Sequence, residues 1–282
     1  MMILGVVCMA CTFLFDDDAL HTRFWTNFLH NTVFFTGIAF VLTFFYAAST
    51  LAYGGWFVNF KRVFEAYSQF LWAGLALMLV IIAGIWGHFH HLYHWTDASL
   101  TDPTSANFDR VVAGKSGFVN KYWYTFGTLL FVGTWAYCAT KLRSLSIDED
   151  NNPNDGYSQY ISFKRYAGFF MFFGAFTSAA MIWQWIMSID VHWYSTMFAW
   201  YATASFLVAG LALVIATLIY LKSKGYYVTV LPDHFHDLGK YIFGFSIFWT
   251  YLWFSQFMLI WYANNGEETV YFFFPIISIP KL

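Results

Sequence analysis

Long uninterrupted apolar runs, most of them near the length of a bilayer, constrain this sequence more than any other feature. A membrane helix needs roughly 20 apolar residues. Runs of that order occur at 27–51, 67–92, 119–139, 165–189, 194–220 and 239–262, with a shorter one at 1–15. They do not alternate polar and apolar residues at period two, as a membrane β-barrel strand would, so helices are predicted. Only 11% of the residues are charged, against about 25% in a soluble domain. The predicted fold is therefore all-α: a polytopic transmembrane helix bundle of six or seven spans, forming one domain over 1–282. A net charge of −2 and the lack of a basic stripe argue against nucleic-acid binding.

Both ends of the sequence read as parts of spans. "MMILGVVCMACTFLF" has no basic leader and is followed by "DDD" rather than a small-residue cleavage site, so it reads as the end of a membrane helix rather than a signal peptide. "YFFFPIISIPKL" begins a further apolar segment, and the native protein is expected to continue at both ends. Cys8, Cys11 and Cys138 fall in apolar runs. The CxxC spacing of the first pair lacks the turn and polar neighbours of a redox or zinc motif, so these thiols are expected to be packing residues. Recurrent glycines such as Gly74, Gly84, Gly87, Gly168 and Gly174 are expected to let helices approach closely.

The loops divide into two sets. Those at 52–66, 140–164 and 221–238, with their flanks, hold nine basic residues: Lys61, Arg62, Lys141, Arg143, Lys164, Arg165, Lys222, Lys224 and Lys240. Those at 16–26, 93–118, 190–193 and 263–270 hold Arg23, Arg110 and Lys115, with Lys121 just beyond. The positive-inside rule assigns the first set to the cytoplasm. This places "GHFHHLYHW" (Gly87–Trp95), "SIDVHW" and "NNGEE" on the periplasmic side of a bacterial inner membrane. Loop 140–164 is acidic and turn-rich, and reads as a solvated linker. Loop 93–118 carries Asp102, Asn107, Asp109, Arg110 and Lys115, and reads as a structured segment that docks a partner subunit. Its "AGKS" lacks the first glycine of a phosphate loop.

Ionisable groups in or beside a span are functional candidates, because burying them is costly. On a continued helix His88 and His91 would share one face, and His90 and His94 another. No second histidine lies deep in a span, which disfavours haem b, and one cluster cannot fill the shells of a metal centre. That leaves a proton or quinone role, or an interfacial helix end bonded to water and a partner. Gln184, Asp190 and His192, with Ser188, gather polar groups at one membrane end. They could receive a quinone carbonyl and its proton, or Asp190 could cap the next helix. Asp237 could cap the last span, while Lys240 reaches the opposite interface. Within that span Ser246, Thr250, Tyr251, Ser255 and Gln256 form either a polar ladder for protons or helix-to-helix hydrogen bonds. Glu267 and Glu268 read as a solvated docking surface.

The stretches "TDPTSANFDRVVAGKSGFVN", "WIMSIDVHWYST" and "HDLGKYIFGFSIFWTYLWFSQFMLIWYAN" resemble the smaller of the two related membrane subunits of bacterial alternative complex III. The likeness runs from about Gly84 to Asn264. It implies a polysulfide-reductase-like (NrfD-like) fold of two four-helix bundles, in a respiratory quinol:acceptor oxidoreductase that uses menaquinol or ubiquinol. Haem c and iron–sulfur clusters would sit in periplasmic partner subunits, beside the related membrane subunit and in some assemblies a terminal oxidase. This chain would bind no haem, cluster or metal itself, and would contribute anchoring, contact with quinone and lipid, and proton translocation. Such subunits carry more spans than are counted here, so terminal spans are expected in addition. Relatives carry an acid where Gln184 stands, which makes a proton path through that position uncertain in this chain. The other readings are a purely structural scaffold for the extrinsic subunits, and a cytochrome b-type haem protein.

Overall fold

The computed structural model describes residues 2–16, 18, 20–152, 156–264, 266 and 269. Glu267, Glu268 and the final apolar stretch lie outside these residues. Among the described residues all regular structure is helical, and no strand occurs. The helices are α1 (Met2–Leu14), α2 (Thr22–Leu51), α3 (Lys61–Ser68), α4 (Phe70–Gly87), α5 (Arg110–Lys115), α6 (Lys121–Asn151), α7 (Gly156–Trp185), α8 (Thr196–Ser223) and α9 (Pro232–Ala263).

Five helical segments are long and apolar enough to cross a membrane: Thr22–Leu51, Val58–Gly87, Tyr157–Ile189, Thr196–Ser223 and Pro232–Ala263. The run predicted at 1–15 is a helix of 13 residues. The run predicted at 119–139 belongs to α6, which has 31 residues but falls outside that group. Its Trp, Tyr and Thr content and the cations Lys141 and Arg143 dilute its apolar character.

The 140–164 loop is corrected by the structure. α6 continues to Asn151 and α7 starts at Gly156, so most of the predicted linker is helix. A helix of 30 residues is about 45 Å long, more than the roughly 30 Å of a hydrocarbon core. Both helices therefore extend well beyond their apolar stretches, and Asp148, Glu149 and Asp150 ride on the projecting turn of α6.

Helices α2, α4, α6 and α7 close a ring in which each packs on two neighbours; α8 packs on α2 and α7, and α9 on α8. α2 is apolar on all sides, the pattern of a helix surrounded by protein, and 67% of its most apolar stretch is buried, against 11% for α9. Close approach at glycine occurs where α4 meets α2: a Cβ on Gly74 would lie 2.3 Å from Thr36 Oγ1. Gly168, by contrast, faces open space. Cys8 and Cys11 are exposed on α1 and only Cys138 is buried. The first two thus do not pack among the described residues, where α1 touches little besides α2.

Alternating helix directions put segments 88–118 and 186–195 at one end of the bundle, and 52–60 and 224–231 at the other. Contacts across each end agree: Lys115 reaches Val191 at the first, and Lys61 reaches Asp150 at the second. These are called the histidine end and the basic end below.

Candidate functional site

At the histidine end, α4 stops at Gly87 because His88 takes a left-handed conformation, φ 53°, which is uncommon for a residue with a side chain. The NH of Phe89 then bonds back to Gly84 O at 3.0 Å. This overturns the helical pairing of His88 with His91 and of His90 with His94, since the chain turns away before either pair can form. His88, His91 and His94 are exposed, while His90 is 4% exposed. The reversed chain lays the His90 ring over Gly84, where a Cβ would lie 2.6 Å from it, and against Trp25 at 4.7 Å between centroids. Its Nε2 is 3.4 Å from Ile81 O, and its Nδ1 has no partner among the described residues. Burial lowers its pKa below the usual histidine value, and the neighbouring His91 adds to that effect, so the ring is neutral near pH 7.

Beyond the histidines, loop 93–118 folds back on the bundle. Asp109 accepts from the NH groups of Val111 at 2.8 Å and Val112 at 3.3 Å, capping α5. Its other oxygen is 2.9 Å from His192 Nε2. Burial would raise the Asp109 pKa, but the two backbone NH groups and His192 outweigh it and hold the carboxyl below the usual range. Lys115 donates to Val191 O at 2.5 Å and lies over the Tyr194 ring at 5.3 Å. Burial lowers its pKa, opposed by the charge of Asp190. Two of the predicted docking residues, Asp109 and Lys115, are thus engaged within the chain, whereas Asp102, Asn107 and Arg110 are exposed.

Asp190 does not cap α8, whose N-terminal flank is Ser195. Its Oδ1 accepts from the NH groups of His192 at 3.1 Å and Trp193 at 3.4 Å, closing the short connection itself. Asp190 and His192 are both exposed. Beneath them lies a buried polar layer. Gln184, 1% exposed, donates to Phe118 O at 3.3 Å, and its Oε1 has no partner among the described residues. Ser188 Oγ donates to Gln184 O at 2.5 Å. Tyr93 donates to Trp185 O at 2.8 Å and lies 3.0 Å from the Tyr124 hydroxyl. No three His, Cys, Asp or Glu side chains are placed to share a metal ion among the described residues.

At the basic end, α9 begins at Pro232, so Asp237 lies within the helix rather than capping it, and pairs with Lys240 at 3.0 Å. A proline at the first helical position favours this earlier start. The polar residues of α9 do not form one ladder. Thr250 Oγ1 bonds to Ser246 O at 2.9 Å on its own helix, Tyr251 is exposed, and Gln256 is buried with Nε2 unpartnered among the described residues.

The most polar buried group of this end was not singled out in the sequence. Glu65, on α3, is 1% exposed. Tyr46 of α2 donates to its Oε1 at 2.9 Å and Arg62 bonds to its Oε2. Arg62 also bonds Asp150 and donates to Ser146 O at 3.2 Å, while Lys61 lies 3.2 Å from Asp150. An ionised carboxylate in an apolar bundle is costly unless paired, and here the cation sits one turn away. The signal was present: Arg62 and Glu65 are three apart at the start of an apolar run. Counting Arg62 only as a topology marker hid it. No protein-family model matches the chain, and no curated protein matches it.

Proposed function

We propose that this chain is a multi-pass inner-membrane subunit of a respiratory quinol:acceptor oxidoreductase of the alternative complex III kind. In this reading it adopts the NrfD-like arrangement, holds no redox centre, anchors haem c and iron–sulfur subunits at its histidine end, and takes part in quinone contact and proton movement. The nine basic residues support a cytoplasmic position for the opposite end in this reading. The observation that carries proton handling is Glu65, a buried carboxylate bonded to Tyr46 and Arg62 in an apolar bundle. Ionisable side chains buried within membrane spans are the residue type that proton relays use. A second buried layer, Gln184 with Tyr93 and Tyr124, lies towards the other end. Gln184 cannot ionise, so in this reading it orients hydrogen bonds while the protons move on other groups.

Membership is tested by purifying the chain from its own membranes. Co-purification of c-type haem and iron–sulfur proteins supports it, and their absence from an intact preparation refutes it. Glu65→Gln in the intact complex then separates roles. Quinol oxidation that persists while proton uptake falls supports proton handling. Unchanged proton uptake leaves the chain a scaffold.

A further inference from the structure

A cavity of about 590 Å³ opens at the basic end between α2, the α3–α4 segment and α8. Its walls are apolar, with Phe35 and Ile38 on one side and Phe70 and Leu213 facing them. From Leu213 to Leu221 it follows about 12 Å of α8, at 1.5 Å per residue. Its polar end is formed by Arg62, Tyr67, Thr217 and Tyr227.

Two features of that polar end define what it can hold. The first is charge. Arg62 is already bonded to Glu65 and Asp150, and Lys61 to Asp150 with Glu149 nearby at 3.8 Å. Arg62 is the only charged residue lining the cavity, and both of its carboxylate partners are already in place, so no unpaired cation lines the cavity for a phosphate. The second is Tyr227. It lies beyond α8 with φ 55°, a left-handed conformation held by a side-chain-bearing residue, and such strain concentrates at functional positions. Burial, and then the Glu65 charge, raise its pKa, so the hydroxyl stays protonated. The Tyr67 hydroxyl is satisfied by Thr217 at 2.7 Å, but the Tyr227 hydroxyl makes no hydrogen bond among the described residues. It is a free donor on a residue that lines the cavity, together with Phe35, Phe70 and Tyr67.

We propose that this cavity binds a membrane amphiphile by an uncharged, carbonyl-bearing head, which accepts a hydrogen bond from Tyr227 while its apolar tail lies along α2 and α8. Two kinds of molecule share that chemistry: a flat-ringed quinone and a neutral glyceride. The site lies at the end of the bundle away from the histidines, and does not depend on the chain belonging to any complex.

The test uses the full chain purified in detergent, titrated with a decyl-tailed benzoquinone and, separately, with dioctanoylglycerol, binding being followed by calorimetry. Short-chain phosphatidylglycerol serves as the competitor. The wild type is expected to bind at least one uncharged compound without competition, and which one identifies the head. Ala66→Phe on α3 and Leu213→Trp on α8, which both fill the cavity, should each weaken binding by roughly tenfold or more. Tyr227→Phe should weaken it several-fold. This last variant loses one oxygen only, so it reads the site even if a filling variant fails to fold. Three results would overturn the proposal: no binding of either compound, equal displacement by phosphatidylglycerol, or an affinity unchanged by Tyr227→Phe and by the filling variants that fold.

Discussion

Asp109 and His192 meet across the histidine end, with Oδ2 of the one 2.9 Å from Nε2 of the other, while Oδ1 of the same carboxylate caps α5. One carboxylate thus does two jobs, and they differ in strength. The His192 side chain is 63% exposed, and exposed ion pairs contribute little, whereas a helix cap is typically worth about 1 kcal/mol. Asp109→Ala should therefore loosen the loop and speed amide exchange over 110–118. His192→Ala should do so far less. Equal exchange in the two variants would mean that the pair, not the cap, holds the loop.

The Asp109 pKa is depressed in the fold, so its contribution is present above the ordinary carboxylate pKa. It fades as the pH drops through and below about 4. Amide exchange over 110–118 should rise in that window in the wild type. In Asp109→Asn the rise should be smaller, because no proton is left to bind there.

His90 has the same sign by a different route. Burial lowers its folded pKa, so the unfolded chain takes up a proton first, and stability falls as the pH drops below about 6.5. The neighbouring His91 adds to this effect. His90→Phe keeps the ring against Trp25 and should flatten that part of a thermal-unfolding profile between pH 7 and 5. A profile unchanged by the substitution would assign the effect to the exposed histidines.

Glu65 offers the largest effect. Removing one partner of a buried pair costs about 3–5 kcal/mol, and Arg62 remains a third exposed with Asp150 still beside it, so the low end applies. Glu65→Ala should lower stability in mild detergent by about 3 kcal/mol, and Tyr46→Phe by about 1 kcal/mol. A Glu65→Ala protein as stable as the wild type would contradict the pairing.

Helix contact at glycine gives a paired control. Gly74→Ala must push against Thr36 and should cost about 1–3 kcal/mol. Gly168→Ala meets open space and should be neutral, or stabilising by up to about 1 kcal/mol through helix propensity. Circular dichroism melts of the two variants in the same detergent check both signs.

The helical character of the chain, with segments long and apolar enough to cross a membrane, was legible because twenty-residue apolar runs leave few alternatives. Span edges were less legible: α7 starts at Gly156, not 165, since helices continue through polar residues once packed neighbours support them. The histidine cluster was misread for a local reason. A left-handed His88 leaves no trace in a periodic pattern, yet it decides which of His88, His90, His91 and His94 is buried. Gln184 was picked out from sequence and is indeed buried, but the pairing of Asp109 with His192 joins segments far apart in the chain, which spacing cannot show. Glu65 was missed because Arg62, three residues before it on α3, was read only for topology, and because Tyr46 comes from α2, whose contact with α3 is a tertiary event.

The placement of α2 has a mechanical consequence. Trp25, near its start, supports the His90 ring, and Tyr46, near its end, holds Glu65. About 32 Å of continuous helix separates them, at 1.5 Å per residue. A rod gripped on most of its surface bends little, so it moves as one piece. A slide or twist of α2 that loosens the Tyr46 hydroxyl from its carboxylate must also shift the indole on which His90 rests, and the two faces of the bundle cannot rearrange independently.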